Sequence, residues 1–116
     1  MSKYRDKSDF EINLCVAQII FTDSEYDVIK QSMEVVKFQN GNGKGTCHAF
    51  DPCNKPADAM PIVIEYGISI MANWGRDGEW AATYRLSIYA ENNENPLRAA
   101  MEIFLMMKEA ENEANT

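Results

Sequence analysis

The chain has 116 residues, of which 46% are hydrophobic and 25% are charged. This length and this composition are typical of one globular domain. Its formal net charge of −7 argues against direct nucleic-acid binding, because phosphate binding requires clustered Lys and Arg. No apolar run approaches the roughly 20 residues of a membrane span, and no signal-peptide core is recognisable. The three cysteines form no CxxC pair. We therefore expect free thiols in a cytoplasmic protein that does not bind membranes.

The first predicted element is a helix that begins at Ser8 and ends near Phe21. Ser8 and Glu11 have the spacing of a capping box, in which each side chain bonds to the other residue's backbone N–H. The apolar residues of this helix fall into two stripes, so it should pack against two neighbours. The polar residues before it, 1–7, are expected to form a flexible N-terminal segment ahead of a single domain over residues 8–110.

Two short segments rich in β-forming residues follow, at 26–29 and 33–38, and we predict strands for both. Residues 41–46 contain three glycines and predict a flexible connection. This connection lacks the Lys followed by Ser or Thr of a phosphate-binding loop, and no helix pattern follows it. The glycine run therefore gives no reason to expect a nucleotide cofactor.

The segment from Phe50 to Pro61 is the least generic part of the chain. Asn54 could cap a helix with Pro56 in its first turn, and Pro61 would then kink the helix or force a restart. The β-branched residues at 62–64 leave a strand open as an alternative. A short, kinked helix ending near Tyr66 is preferred, because the next residue is a glycine suited to the left-handed position after a helix.

Residues 68–74 and 80–90 alternate between apolar and polar on either side of a Gly/Asp-containing turn, which predicts an antiparallel hairpin. One face of this hairpin is apolar and the other is mixed, as in a sheet covered by helices on one side. Together, these elements predict an α+β fold with a small antiparallel sheet of about four strands, covered on one face by about three helices.

The last predicted element is an apolar helix from Pro96 to about residue 110, with Asn95 as its cap. Its polar stripe is narrow and is interrupted by Leu105, which suggests a buried or interface helix. The candidate interface residues are Glu102, Leu105 and Glu109. The acidic residues 111–116 are expected to form a frayed tail.

The catalytic inventory is thin. His48 is the only histidine, and Cys47 beside it would point to the opposite face of a strand. With Cys53 these residues still lack the fourth ligand of a closed zinc site. We therefore predict no catalytic residues, no metal and no cofactor.

Three segments of the sequence carry a resemblance to a known family. Residues 50–65 (FDPCNKPADAMPIVIE) resemble the central block of the small NinX-like proteins of lambdoid phages and enterobacterial prophages. Residues 95–101 (NPLRAAM) are similar to the closing motif of that family, and residues 8–13 (SDFEIN) to its opening. The resemblance implies a phage or prophage origin and a bacterial cytoplasmic location, and it implies no catalytic residues.

Two functions remain open at this point. The first is a non-enzymatic phage accessory protein that binds a host or phage protein. The alternative is a small-molecule or nucleotide-binding module with a pocket near residues 50–61 and the hairpin. A homodimer is compatible with both. The candidate binding residues are Asp51, Asn54, Asp58, Trp74, Arg76, Trp80 and Arg98, although helix capping by the acids and cross-strand packing by the tryptophans would explain several of them equally well.

Overall fold

The computed structural model describes residues 3–38, 46–73, 77–85 and 88–114. The first helix, α1, spans Asp9–Ile20 and begins with the predicted capping box. The Ser8 hydroxyl accepts from the Glu11 backbone N–H, and the Glu11 carboxylate accepts from the Ser8 N–H, both at 3.1 Å. Helix α1 contacts both α3 (Pro96–Ala114) and the strand Glu34–Phe38, in agreement with its two apolar stripes.

The first sheet consists of three antiparallel strands in the order β1 (Tyr26–Ile29), β2 (Glu34–Phe38) and β3 (Cys47–Ala49). The predicted strand at 33–38 begins one residue later, because Met33 has a positive φ of 54° in the turn that precedes it. The connection predicted at 41–46 lies outside the described residues except for Thr46.

Helix α2 spans Pro56–Tyr66, which decides in favour of a helix over a strand for this segment. Gly67 has the expected left-handed conformation, with φ 67° and ψ 40°, and ends the helix. One detail of the prediction is wrong, because the capping position is Lys55 rather than Asn54. The helix continues through Pro61, so of the two predicted effects of this proline the restart does not occur.

The second sheet is also three-stranded and antiparallel, in the order β4 (Ser69–Ala72), β5 (Trp80–Tyr84) and β6 (Ile88–Asn93). The predicted hairpin is the β4–β5 pair, in which Ala72 lies opposite Trp80. The alternating run 80–90 is not one strand, because Arg85 adopts a positive φ of 52°. The chain reverses there, and β6 pairs with β5.

Helix α3 is the central element of the fold and contacts α1, α2 and all three strands of the second sheet. Met101, Ile103 and Phe104 on α3 are completely buried. The Phe104 and Tyr66 rings lie 5.0 Å apart and join α3 to α2. The helix continues to Ala114, beyond the predicted end near residue 110. In the described ranges, no helix combines the length and apolar character that a bilayer span requires.

The predicted α+β class with three helices is confirmed for the described residues. The prediction of one sheet of about four strands is wrong, because the strands form two separate sheets. Helix α2 separates β3 from β4 in the chain, and β4 pairs with β5 and not with a strand of the first sheet.

Candidate functional site

Three segments of the chain meet beside the N-terminal ends of α1 and α3. The Asn13 amide donates to Asp51 Oδ1 at 2.8 Å and accepts from the Cys53 backbone N–H at 3.1 Å. Asn54 Nδ2 donates to Asp9 and Asp51, each at 3.1 Å. From α3, Asn95 Nδ2 donates to the Cys53 carbonyl oxygen at 2.6 Å. We call this group, together with Arg98, the polar junction: Asp9, Asn13, Asp51, Cys53, Asn54, Asn95 and Arg98.

Arg98 attaches the N-terminal segment to α3. Its Nε–H donates to Glu102 at 2.9 Å, and Nη1 donates to Asp9 at 2.7 Å. Its Nη2 donates to the carbonyl oxygens of Tyr4 and Lys7 at 2.9 and 2.6 Å. Burial alone would lower the pKa of Arg98, but the hydrogen bond to Asp9 and the charge of Glu102 outweigh it and raise that pKa. Arg98 therefore stays charged, and four of its five N–H donors bond within the chain.

The two aspartates of the central segment also have partners inside the protein. The Asp51 backbone N–H donates to Asp58 Oδ2 at 2.9 Å, and Lys37 Nζ lies 3.6 Å from Asp58 Oδ1. A half-open depression of about 270 Å³ lies beside the polar junction, and Asp51 and Asn54 contribute to its wall with Phe10 and Met33. Its volume is slightly below the range of about 300–1,000 Å³ typical of ligand pockets.

The other predicted binding residues are distributed differently. Trp74 and Arg76 lie outside the described residues. Trp80 is half-buried on β5 in the second sheet, where it pairs with Ala72 through the backbone. The structure therefore brings Asp51, Asn54, Asp58 and Arg98 into one hydrogen-bonded region, and Trp80 belongs to another part of the fold.

The candidate interface residues on α3 are buried or bonded within the chain itself. Glu102 and Leu105 are only 4% and 3% exposed, which agrees with the buried alternative for this helix at these two positions. Glu109 accepts from Lys3 Nζ at 2.7 Å and from the Tyr4 hydroxyl at 2.8 Å. Helix periodicity identified the polar stripe, but it could not show that residues from the distant N-terminus bond to it.

These contacts change the ionisation of the N-terminal residues. Burial, reinforced by the hydrogen bond to Glu109, raises the pKa of Tyr4 to about 12. The hydrogen bonds from Lys3 and Tyr4 lower the pKa of Glu109. At neutral pH the neutral phenol of Tyr4 and the ammonium group of Lys3 therefore both donate to the Glu109 carboxylate and attach the segment to α3.

The cysteine and histidine side chains are not arranged around a common centre. Cys53 is completely buried, and burial, followed by the charge of Asp9, raises the pKa of its thiol. Cys47 and His48 are exposed on β3. Within the described ranges, no three His, Cys, Asp or Glu residues are grouped so that they could bind a metal ion.

The solvent-facing side of α2 is apolar, a feature that the sequence interpretation missed. Met60 and Ile64 are 37% and 74% exposed. Ala57 and Pro61 on the same side are also exposed. We call these four residues the α2 outer face. Their spacing is the signal that could have identified it, because residues 57, 60, 61 and 64 share one side of any helix.

The α2 outer face borders two depressions. One, of about 200 Å³, lies between α2 and the end of α1 and includes Phe21, Phe50 and Pro61. The other, of about 400 Å³, is open and includes Ile64 and residues of β5 and α3. The Glu65 side chain contributes to both depressions.

Both features lie in the segments that resemble NinX-like proteins. Residues 8–13, 50–65 and 95–101 together supply all seven residues of the polar junction, although they are far apart in sequence. The middle segment also supplies the whole α2 outer face. The three segments that carry the resemblance therefore meet at the polar junction.

Comparison with known proteins gives one match. A protein-family model described as bacteriophage P22 NinX matches residues 3–108, which include the polar junction and the α2 outer face. Searches of the curated proteins and of the solved structures returned no significant match. The family match confirms the resemblance found in the sequence, and the chain belongs to the bacteriophage P22 NinX family.

Proposed function

We propose that this phage protein is a non-enzymatic accessory protein that acts in the bacterial cytoplasm by binding a host or phage protein through the α2 outer face. The observation that carries the proposal is the apolar, exposed side of α2, on which Ile64 is 74% exposed. A helix that is apolar on both its buried and its exposed sides is typical of interfaces, because a solvent-facing side is normally polar.

The distribution of polar side chains supports the same proposal. Arg98, Asp51 and Asn54, which would have been natural ligand contacts, form hydrogen bonds that join α1, the central segment and α3. These residues stabilise the scaffold that presents α2. A role in catalysis would require groups whose hydrogen-bonding capacity is directed towards a substrate.

Site-specific photocrosslinking in the host cell tests the proposal. A photoreactive amino acid replaces Ile64 in the full chain, and a matched variant carries it at Ile29, which is 42% exposed on β1. Both variants are expressed in bacteria carrying the phage, irradiated, and analysed by mass spectrometry. We expect one identified protein to be crosslinked through position 64 and to be absent at position 29.

A second measurement makes the result specific. Ile64→Lys should abolish the interaction between the identified protein and the purified chain, and Ile29→Lys should leave it unchanged. The proposal is wrong if position 64 yields no adduct, or if positions 64 and 29 yield the same adducts.

A further inference from the structure

We infer that the partner segment seated on the α2 outer face is apolar and carries a Lys or Arg side chain that pairs with Glu65. This inference deepens the proposed function and rests on it. Its apolar part follows from the surface itself, because Ala57, Met60 and Ile64 offer methyl and methylene groups to whatever covers them. Burial of such groups is favourable in proportion to the apolar area that is removed from water.

The charge of the partner follows from Glu65. This residue is exposed at the edge of the apolar surface, and its carboxylate has no hydrogen-bond or ion-pair partner among the described residues. The lysine that lines the same depression, Lys37, lies 3.6 Å from the buried Asp58 carboxylate and is engaged there. Arg85, the cation that lines the other depression, lies over the Tyr84 ring. Glu65 lines both depressions and is an unpaired carboxylate that a bound segment would meet, so a cationic group complements it.

The whole chain reinforces this preference. A net charge of −7 attracts a basic segment and repels an acidic one during encounter. The same charge acts against a second copy of this chain as the occupant, since both copies would carry it. The 11 residues of α2 also form a face only about 16 Å long. That length fits an extended segment of about five residues, and it is small for the roughly 800 Å² per partner of a standard protein interface.

A selection from a random peptide library tests the inference. The full-length wild type, Glu65→Lys and Ile64→Lys are used as baits, with Glu34→Lys and Ile29→Lys as matched controls from the exposed part of the first sheet. We expect wild type to enrich peptides in which Lys or Arg adjoins apolar residues. Glu65→Lys should enrich Asp or Glu in that position, and Ile64→Lys should enrich nothing specific.

Affinities of the enriched peptides then measure the pairing. Glu65→Lys should lower the affinity for the best wild-type peptide by about tenfold or more. Replacing the basic residue of that peptide by Glu should restore its binding to the variant. Glu34→Lys and Ile29→Lys should bind like wild type. The substituted side chains are exposed, so the urea unfolding curves of all variants should coincide with that of wild type.

Several outcomes would overturn the inference. Enriched peptides without a basic residue, peptides that bind Glu65→Lys as tightly as wild type, or no enrichment on wild type would each do so. A sedimenting dimer that Ile64→Lys dissociates would show that a second copy covers the face. A specific crosslink at position 64 combined with peptides lacking a basic residue would leave the proposed function standing and remove only the basic partner.

Discussion

Among single residues, Arg98 shows how the polar junction stabilises the fold. It forms an ion pair with Glu102, which is only 4% exposed. Removal of the guanidinium would therefore leave a buried carboxylate without its cation. We expect Arg98→Met to lower the free energy of unfolding by about 3–5 kcal/mol, the usual cost of breaking a buried ion pair from one side. Urea unfolding at neutral pH measures this change.

Two further variants separate charge from geometry. The double variant Arg98→Met/Glu102→Met should lose less stability than Arg98→Met alone, because no buried charge is left uncompensated. Arg98→Lys should be intermediate, since one ammonium cannot reproduce the guanidinium contacts with Glu102, Asp9 and the two carbonyl oxygens. A loss of less than about 1 kcal/mol for Arg98→Met would show that water reaches Glu102.

The role of Arg98 could not be predicted from sequence, although the residue itself was singled out. An arginine in the polar stripe of a helix is usually exposed, and helix periodicity describes only that helix. The partners that bury Arg98 are Asp9 and backbone oxygens about 90 positions earlier in the chain. Local patterns therefore identified the capping box at Ser8 correctly but could not assign Arg98 a structural role.

Among the elements, α2 has both a proline in its interior and an exposed apolar side. Pro61 lies inside the helix and cannot donate a backbone hydrogen bond to the preceding turn. We expect Pro61→Ala to raise the free energy of unfolding by about 1–2 kcal/mol, because the interior cost of proline exceeds its entropic benefit in the unfolded chain. Urea unfolding measures the gain.

Pro56→Ala is the matched control for this prediction. Pro56 is the first residue of the helix, where a missing N–H costs little, so stability should change by less than about 0.5 kcal/mol. If the α2 outer face binds a partner, Pro61→Ala should also weaken that binding while it stabilises the chain, since the proline ring lines the adjoining depression. A loss of stability in Pro61→Ala would contradict the prediction.

The helices and strands also show which features of the fold could be predicted from local sequence patterns. Pro56 and Gly67 correctly bounded α2 despite the β-branched residues between them. The alternation from Trp80 to Ala90 incorrectly suggested one strand, because nothing in the residue type signals that Arg85 will adopt a positive φ. The hairpin was predictable from local alternation, and the division into two sheets depends on how distant elements pack.

For the whole molecule, the contacts of the N-terminal segment join the two ends of the described chain. Lys3 and Tyr4 bond to Glu109, and Tyr4 and Lys7 accept from Arg98 at the other end of α3. The segment thus runs along the polar stripe of α3, while the α2 outer face remains open.

The raised pKa of Tyr4 predicts how the attachment of the N-terminal segment to α3 responds to pH. The pKa of Tyr4 is about 12 in the folded chain, against 10.0 ordinarily, because burial and the Glu109 hydrogen bond favour the neutral phenol. Between those values the unfolded state loses this proton first, so the stability from Tyr4 is complete below pH 10 and is lost as pH rises towards 12. The pKa of Lys3 is also raised, so its deprotonation acts in the same direction.

Urea unfolding from about pH 8 to about pH 12, with wild type and Tyr4→Phe, isolates this contribution. Tyr4→Phe keeps the ring but removes both the ionisable proton and the donor to Glu109, so it should be less stable at neutral pH. Its stability should then decline less steeply above pH 10, because the other tyrosines and the lysines titrate equally in both proteins. Parallel declines in the two proteins would show that Tyr4 ionises alike in the folded and unfolded chains. The contact between Tyr4 and Glu109 would then not control how the N-terminal segment is attached to α3.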